Sequence, residues 1–144
     1  MISKIKTIPL LLLAVSVSLT GCVSREQADA RLARGCLAGA EIFIEDGFKI
    51  GEIRDKTYRD APGLGKGYRE VTVKVLETDG WYENETDYQC IFAEEFSIGH
   101  LSHKASLYQL RIGEKVYGKE GDKILGSFQD HLKLTEAVDQ AMNR

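Results

Sequence analysis

The chain has 144 residues, with 22 acidic against 19 basic side chains and a formal net charge of −3, so it offers nucleic acid no basic face. Acidic and basic residues are interspersed without a block of like charge, the pattern of a solvated mixed surface. The length suits one domain with a hydrophobic core.

At the N-terminal end, Lys4 and Lys6 precede an uncharged apolar run over residues 7–19, centred on Leu10-Leu11-Leu12-Leu13-Ala14-Val15. This is the order of a secretion signal, and the run is too short for a comfortable membrane span. It ends in Leu19-Thr20-Gly21-Cys22. These four residues resemble the lipobox of bacterial lipoproteins, in which a large aliphatic residue, a small or mid-sized one and Gly or Ala precede an obligatory Cys. The resemblance implies that the Cys22 thiolate takes up a diacylglyceryl group and that the bond between Gly21 and Cys22 is cleaved. It implies a further acyl chain, such as palmitate, on the freed amine. At about 0.8 kcal/mol per buried methylene, two or three chains hold a protein on a bilayer far more firmly than one. In such lipoproteins Asp after the lipidated Cys commonly retains the protein at the inner membrane. Val23 stands there instead, which implies the outer membrane, facing the periplasm. On this reading residues 1–21 are a signal peptide and residues 22–144 form a single periplasmic-type domain on a very short tether.

With Cys22 lipidated, Cys36 and Cys90 remain as one pair in an oxidising compartment, which predicts a disulfide. The alternatives are a redox pair or half of a metal site, and neither has its close C-x-x-C spacing.

Ser24-Arg25-Glu26-Gln27 reads as a capping box. Ala28, Leu32, Cys36, Gly39 or Ala40, and Phe43 then make one apolar helical stripe that Asp46-Gly47 stops. Gly35, Ala38, Gly39 and Ala40 would let this helix lie close on a sheet. Residues 48–60 read as a first strand with a bulge near Gly51, and residues 61–67 as a glycine-rich loop without P-loop spacing. The alternation of Val71, Val73 and Val75 with Glu70, Thr72 and Lys74 predicts a half-buried strand over 68–77. Thr78-Asp79-Gly80 turns the chain, and Asn84-Glu85-Thr86 reads as a polar break. Tyr88, Cys90 and Phe92 share one face of the next strand. A connection over 97–104 leads to a strand at 105–112, and Gly113-Glu114 supplies a hairpin turn to Lys115-Val116-Tyr117. A polar turn over 119–123 and a short strand over 124–128 follow. Thr135 is placed to cap a last helix that turns Leu134, Val138, Ala141 and Met142 inward.

The expected fold is α+β: an N-terminal helix on a curled antiparallel sheet of about five strands, a short C-terminal helix, and a helix-to-sheet disulfide. Exposed aromatics at a strand end suit a partner, and Trp81 and Tyr82 are the candidate interaction surface, the plainer alternative being that they cap the core with Tyr88. The expected function is a small interaction or accessory module with an envelope protein partner. An alternative is a binder of a small or lipidic ligand in a cavity lined by Tyr88, Phe92 and Tyr108. A third is an enzyme in which His100 or His103 converges with Glu94 or Glu95; both histidines are otherwise expected to be exposed loop residues, and His131 a surface or capping residue. No nucleophile motif, metal set or cofactor motif is present, so no catalytic residue, metal or cofactor is assigned.

Overall fold

The computed structural model describes residues 21–144, so the apolar run and Leu19-Thr20 of the lipobox lie outside the described residues. Helix α1, Arg25–Glu41, begins at a complete capping box: Ser24 Oγ accepts from the Gln27 N–H at 3.1 Å, and the Gln27 side chain accepts from the Ser24 N–H at 3.0 Å. The strands are β1 (Lys49–Asp60), β2 (Tyr68–Thr78), β3 (Glu83–Phe96), β4 (His103–Ile112), β5 (Lys115–Glu120) and β6 (Lys123–Leu125), followed by α2, Phe128–Met142. All six strands join one antiparallel sheet in chain order. Among the described residues no helix is long and apolar enough to cross a membrane.

Both helices cover the same sheet face. Leu32, Ala33, Cys36 and Ala40 of α1 and Leu134, Val138 and Met142 of α2 meet Val71, Val73, Val75, Tyr88, Cys90, Phe92, Leu107 and Leu110 in one core. Cys36 and Cys90 are bonded, with Cα atoms 5.8 Å apart, joining α1 to the middle of β3. The small residues divide the work differently from expectation. Cys36 and Ala40 face the sheet, whereas Gly35 and Gly39, four residues apart and so on one helical face, face α2. A Cβ on Gly39 would come within 2.9 Å of Val138 and Leu134 side-chain atoms.

Several boundaries differ from the sequence reading, each for a physical reason. Helix α1 ends at Glu41, before Asp46-Gly47, and the released chain lays the Phe43 ring on Tyr117, with centroids 3.7 Å apart. Asn84-Glu85-Thr86 does not break the chain but belongs to β3, because its backbone pairs with Glu77, Leu76 and Val75 of β2. The ladder holds this end together with an exposed ion pair between Glu85 and Lys74 at 3.6 Å, so its side chains stay polar. The cap of α2 is Ser127, whose hydroxyl accepts from the Asp130 N–H at 3.1 Å. Thr135 lies inside the helix and donates its hydroxyl to the His131 carbonyl at 3.0 Å. Phe128 opens α2 rather than ending a strand.

Strand β1 is a long edge with little buried surface. Register shifts between Ile50 and Glu52 and between Ile53 and Asp55 bend it, the first at the expected Gly51. Bulges and charged side chains on such an edge discourage pairing with another chain.

Candidate functional site

The candidate acid-base residues separate into two groups. Glu94 and His103 lie diagonally across β3 and β4 on the helix-covered face, and His103 Nε2 is 2.8 Å from Glu94 Oε2. His103 is therefore the first residue of β4 and its side chain is 1% exposed, which corrects the expectation of an exposed loop histidine. Glu95 alternates to the opposite face and is exposed. His100 is exposed in a single 3-10 turn, Ile98–His100, with its ring stacked on Phe96 at 4.5 Å between centroids.

Arginines complete the buried group. Arg25, in the first turn of α1, grips Glu94 with both terminal nitrogens, at 2.6 and 2.8 Å, and reaches Asp29 through Nε at 3.0 Å. Arg69 of β2 holds the same Asp29 through two nitrogens, at 3.0 and 2.8 Å. Arg31 donates to the His103 carbonyl at 2.6 Å and lies 3.2 Å from His103 Nδ1. It also binds the Met142 carbonyl at 2.9 Å, fastening the end of α2. Because arginine only donates, Nδ1 accepts, and the ring proton sits on Nε2 facing Glu94. Burial alone would raise the Glu94 carboxyl, but hydrogen bonds from Arg25 and His103 outweigh it and hold the group below the usual carboxylate range.

With both ring nitrogens and both Glu94 oxygens engaged by protein groups, this arrangement offers a substrate no free base. Its chemistry is that of a polar clamp joining α1, β2, β3, β4 and the end of α2. The sequence reading missed Arg25, Asp29, Arg31 and Arg69. The spacing of Arg25 and Asp29 across one helical turn was the available signal, and the contact with Glu94 spans too much sequence to be read from spacing.

Trp81 and Tyr82 lie in the turn between β2 and β3 and are 91% and 72% exposed, so they do not cap the core. The turn is built for display. Asp79 Oδ1 accepts from the backbone N–H groups of Trp81 at 2.8 Å and Tyr82 at 2.7 Å, and Gly80 has φ 100°. Those two bonds hold the Asp79 carboxyl below its ordinary range, that of Tyr82 contributing most. Neighbouring Asp79, Glu83 and Glu85 make the surroundings acidic.

The expected ligand cavity does not assemble. Tyr88 and Phe92 are fully buried on the helix side, and the Tyr88 hydroxyl donates to Glu77. Tyr108 is on the other face, edge-on to Tyr68 at 5.5 Å between centroids. The uncovered sheet face carries open depressions, one of about 500 Å³ bordered by Thr72, Asp87, Gln89 and Arg111 and one of about 390 Å³ where Pro62, Leu64, Ile91 and Tyr108 lie among polar side chains.

Cys22 is exposed, and only Val23 separates it from the cap residue Ser24. Val23 is tied down, its N–H donating to the His100 carbonyl at 2.7 Å. His131 lies in the first turn of α2, half-buried, with Nδ1 lacking a hydrogen-bond partner among the described residues. Among the described residues no group of three or more His, Cys, Asp or Glu side chains is arranged to hold a metal ion. No family model, curated protein or solved structure matches this chain.

Proposed function

We propose that the protein is a lipid-anchored envelope protein, attached through Cys22 to the outer membrane on its periplasmic side, that engages a protein partner through Trp81 and Tyr82. The observation that carries this reading is the display of two large aromatic rings on a turn whose backbone Asp79 clamps. Leaving such rings in water is unfavourable, and pre-ordering their backbone lowers the entropy lost when a partner covers them. The acidic residues beside them favour a partner with an apolar pocket rimmed by basic groups.

The polar clamp is read as structural, because every polar side-chain atom of Glu94 and of the His103 ring is already engaged by protein groups. Crosslinking in cells with the acylated full-length chain tests the proposal. The wild-type chain is expected to capture a single abundant envelope protein. Trp81→Ala with Tyr82→Ala should lose that product while the melting temperature stays unchanged. A central aromatic hot spot contributes about 2 kcal/mol or more, roughly a 30-fold change in affinity. Capture that survives the double substitution would remove Trp81 and Tyr82 from the interface.

A further inference from the structure

We propose that Ile98 and Leu101, at the tip of the connection between β3 and β4, insert into the lipid interface beside the acylated Cys22 and hold the protein upright on the membrane. The inference rests on the lipoprotein reading of Cys22 and adds a second, non-covalent membrane contact.

Ile98 is 97% exposed and Leu101 72%, in a loop that is fastened rather than loose. The Ser97 N–H donates to the Ser102 carbonyl at 3.0 Å, and the Ser102 N–H returns to Ser97 Oγ at 2.8 Å. Gly99 and His100 follow one another in left-handed backbone, at φ 71° and 57°, and His100 is the only non-glycine with positive φ among the described residues. Such a conformation in a residue with a Cβ is strained and persists only where its surroundings enforce it. Here they do: the His100 ring stacks on Phe96, its N–H donates to Ser97, and its carbonyl accepts from Val23. With His100 turned back onto the body, the apolar residues on either side face outward.

The Val23 bond also states what these side chains face. Consecutive Cα atoms are about 3.8 Å apart, so the lipidated residue lies one residue step from the strand of backbone bonded to this tip. The glyceryl group on a lipidated Cys sits at the level of the lipid headgroups, a layer of roughly 5–8 Å on each side of the hydrocarbon. A rigid tip fixed beside it falls within that layer, where Ile and Leu are favoured and an interfacial segment buries its apolar side by about 5–10 Å. With Ser24 already capping α1, no flexible stretch lets the body drift away. Strand β3 leads from this tip towards Trp81 and Tyr82, and its 14 residues span about 40 Å. Lipid contact at one end thus sets the aromatic turn at the far end.

The test uses the full chain, labelled in cells with radioactive palmitate, purified in its acylated form and placed in vesicles of phosphatidylethanolamine and phosphatidylglycerol with brominated acyl chains. Ile98→Trp or Leu101→Trp is introduced with Trp81→Phe, so that each protein has one fluorescent indole. The label on Cys22 is expected, together with loss of about half or more of the emission from either probe, as for a side chain at the acyl boundary. Trp81 in the otherwise unchanged protein should keep its emission. Label present with both probes unquenched would overturn the inference and leave the lipoprotein reading intact. If those unquenched proteins sediment as dimers, a second copy rather than lipid covers the tip. Absence of label, with Cys22→Ser leaving the distribution between membrane and soluble fractions unchanged, would overturn the lipoprotein reading and the membrane contact with it.

Discussion

At the scale of single residues, Glu94 shows how the same side chain can suggest a reaction in sequence and provide cohesion in the fold. Its charge is withdrawn from water but bound by Arg25 and His103, so removing the charge leaves donors without their acceptor. Glu94→Gln is expected to lower the unfolding free energy by about 3 kcal/mol near neutral pH, measured by urea denaturation. The pH dependence has a definite sign. The folded-state pKa is lowered, so the unfolded chain binds more protons, and the contribution is complete above the ordinary glutamate value of 4.5. It is lost as pH falls through the lower folded-state value. The wild type should therefore lose stability more steeply than Glu94→Gln across that acidic range, and parallel curves would show that the charge at Glu94 does not contribute. The proximity of Glu94 to a histidine was legible in the sequence; what occupied the rest of their valences was not. Those partners, Arg25 and Arg31, come from a helix dozens of residues earlier, and neither periodicity nor motif spacing encodes that meeting.

At the scale of elements, period-two alternation read β2 correctly because a helix layer covers one of its faces, leaving Val71, Val73 and Val75 fully buried. The same signal fails where no layer covers the sheet. The first residues of β3 are polar throughout and belong to the strand through backbone pairing with β2, so composition imitates a break. The end of α1 was misplaced because Phe43 continues the apolar spacing after the helix has stopped, its burial supplied by Tyr117 instead. Glycines mark two contacts that can be tested. Gly39→Ala gains about 1 kcal/mol of helix propensity but forces a methyl against Val138 and Leu134, and overpacking of a filled core costs about 1–3 kcal/mol. Net destabilisation is expected, and Val138→Ala should relieve part of it in a double-mutant cycle. Gly118→Ala should cost more, because φ is 98° and the added Cβ would lie 2.5 Å from the Tyr108 carbonyl oxygen. Backbone cannot step aside as a side chain can, so a milder effect than that of Gly39→Ala would argue that β4 and β5 shift apart.

At the scale of the whole molecule, the chain closes one face of a six-stranded sheet with two helices, and the first helix is joined to that sheet by both the polar clamp and Cys36–Cys90. The pairing was legible because the expectation of export and of a lipidated Cys22 set aside the third cysteine and left Cys36 and Cys90, both on apolar faces. The clamp and the disulfide act on different states. The clamp stabilises the folded chain, whereas the disulfide, with a sequence separation of 54, chiefly restricts the unfolded one and is worth about 4 kcal/mol in a chain-entropy description. Cys36→Ala with Cys90→Ala should therefore lower the unfolding free energy by about 4 kcal/mol or more while leaving the native fold recognisable by circular dichroism. Both sulfurs are fully buried, so loss of packing adds to the entropic effect. Reductant gives a cleaner comparison because it leaves every side chain in place, and Cys22→Ser prevents exchange with the remaining thiol. In that background, dithiothreitol at denaturation equilibrium should lower the urea midpoint and raise the unfolding m-value, since an uncrosslinked unfolded chain exposes more surface. A lower midpoint with an unchanged m-value would assign the stabilisation to native-state contacts across α1 and β3. Equal midpoints with and without reductant would show that the clamp and core hold the helix on the sheet without the bond.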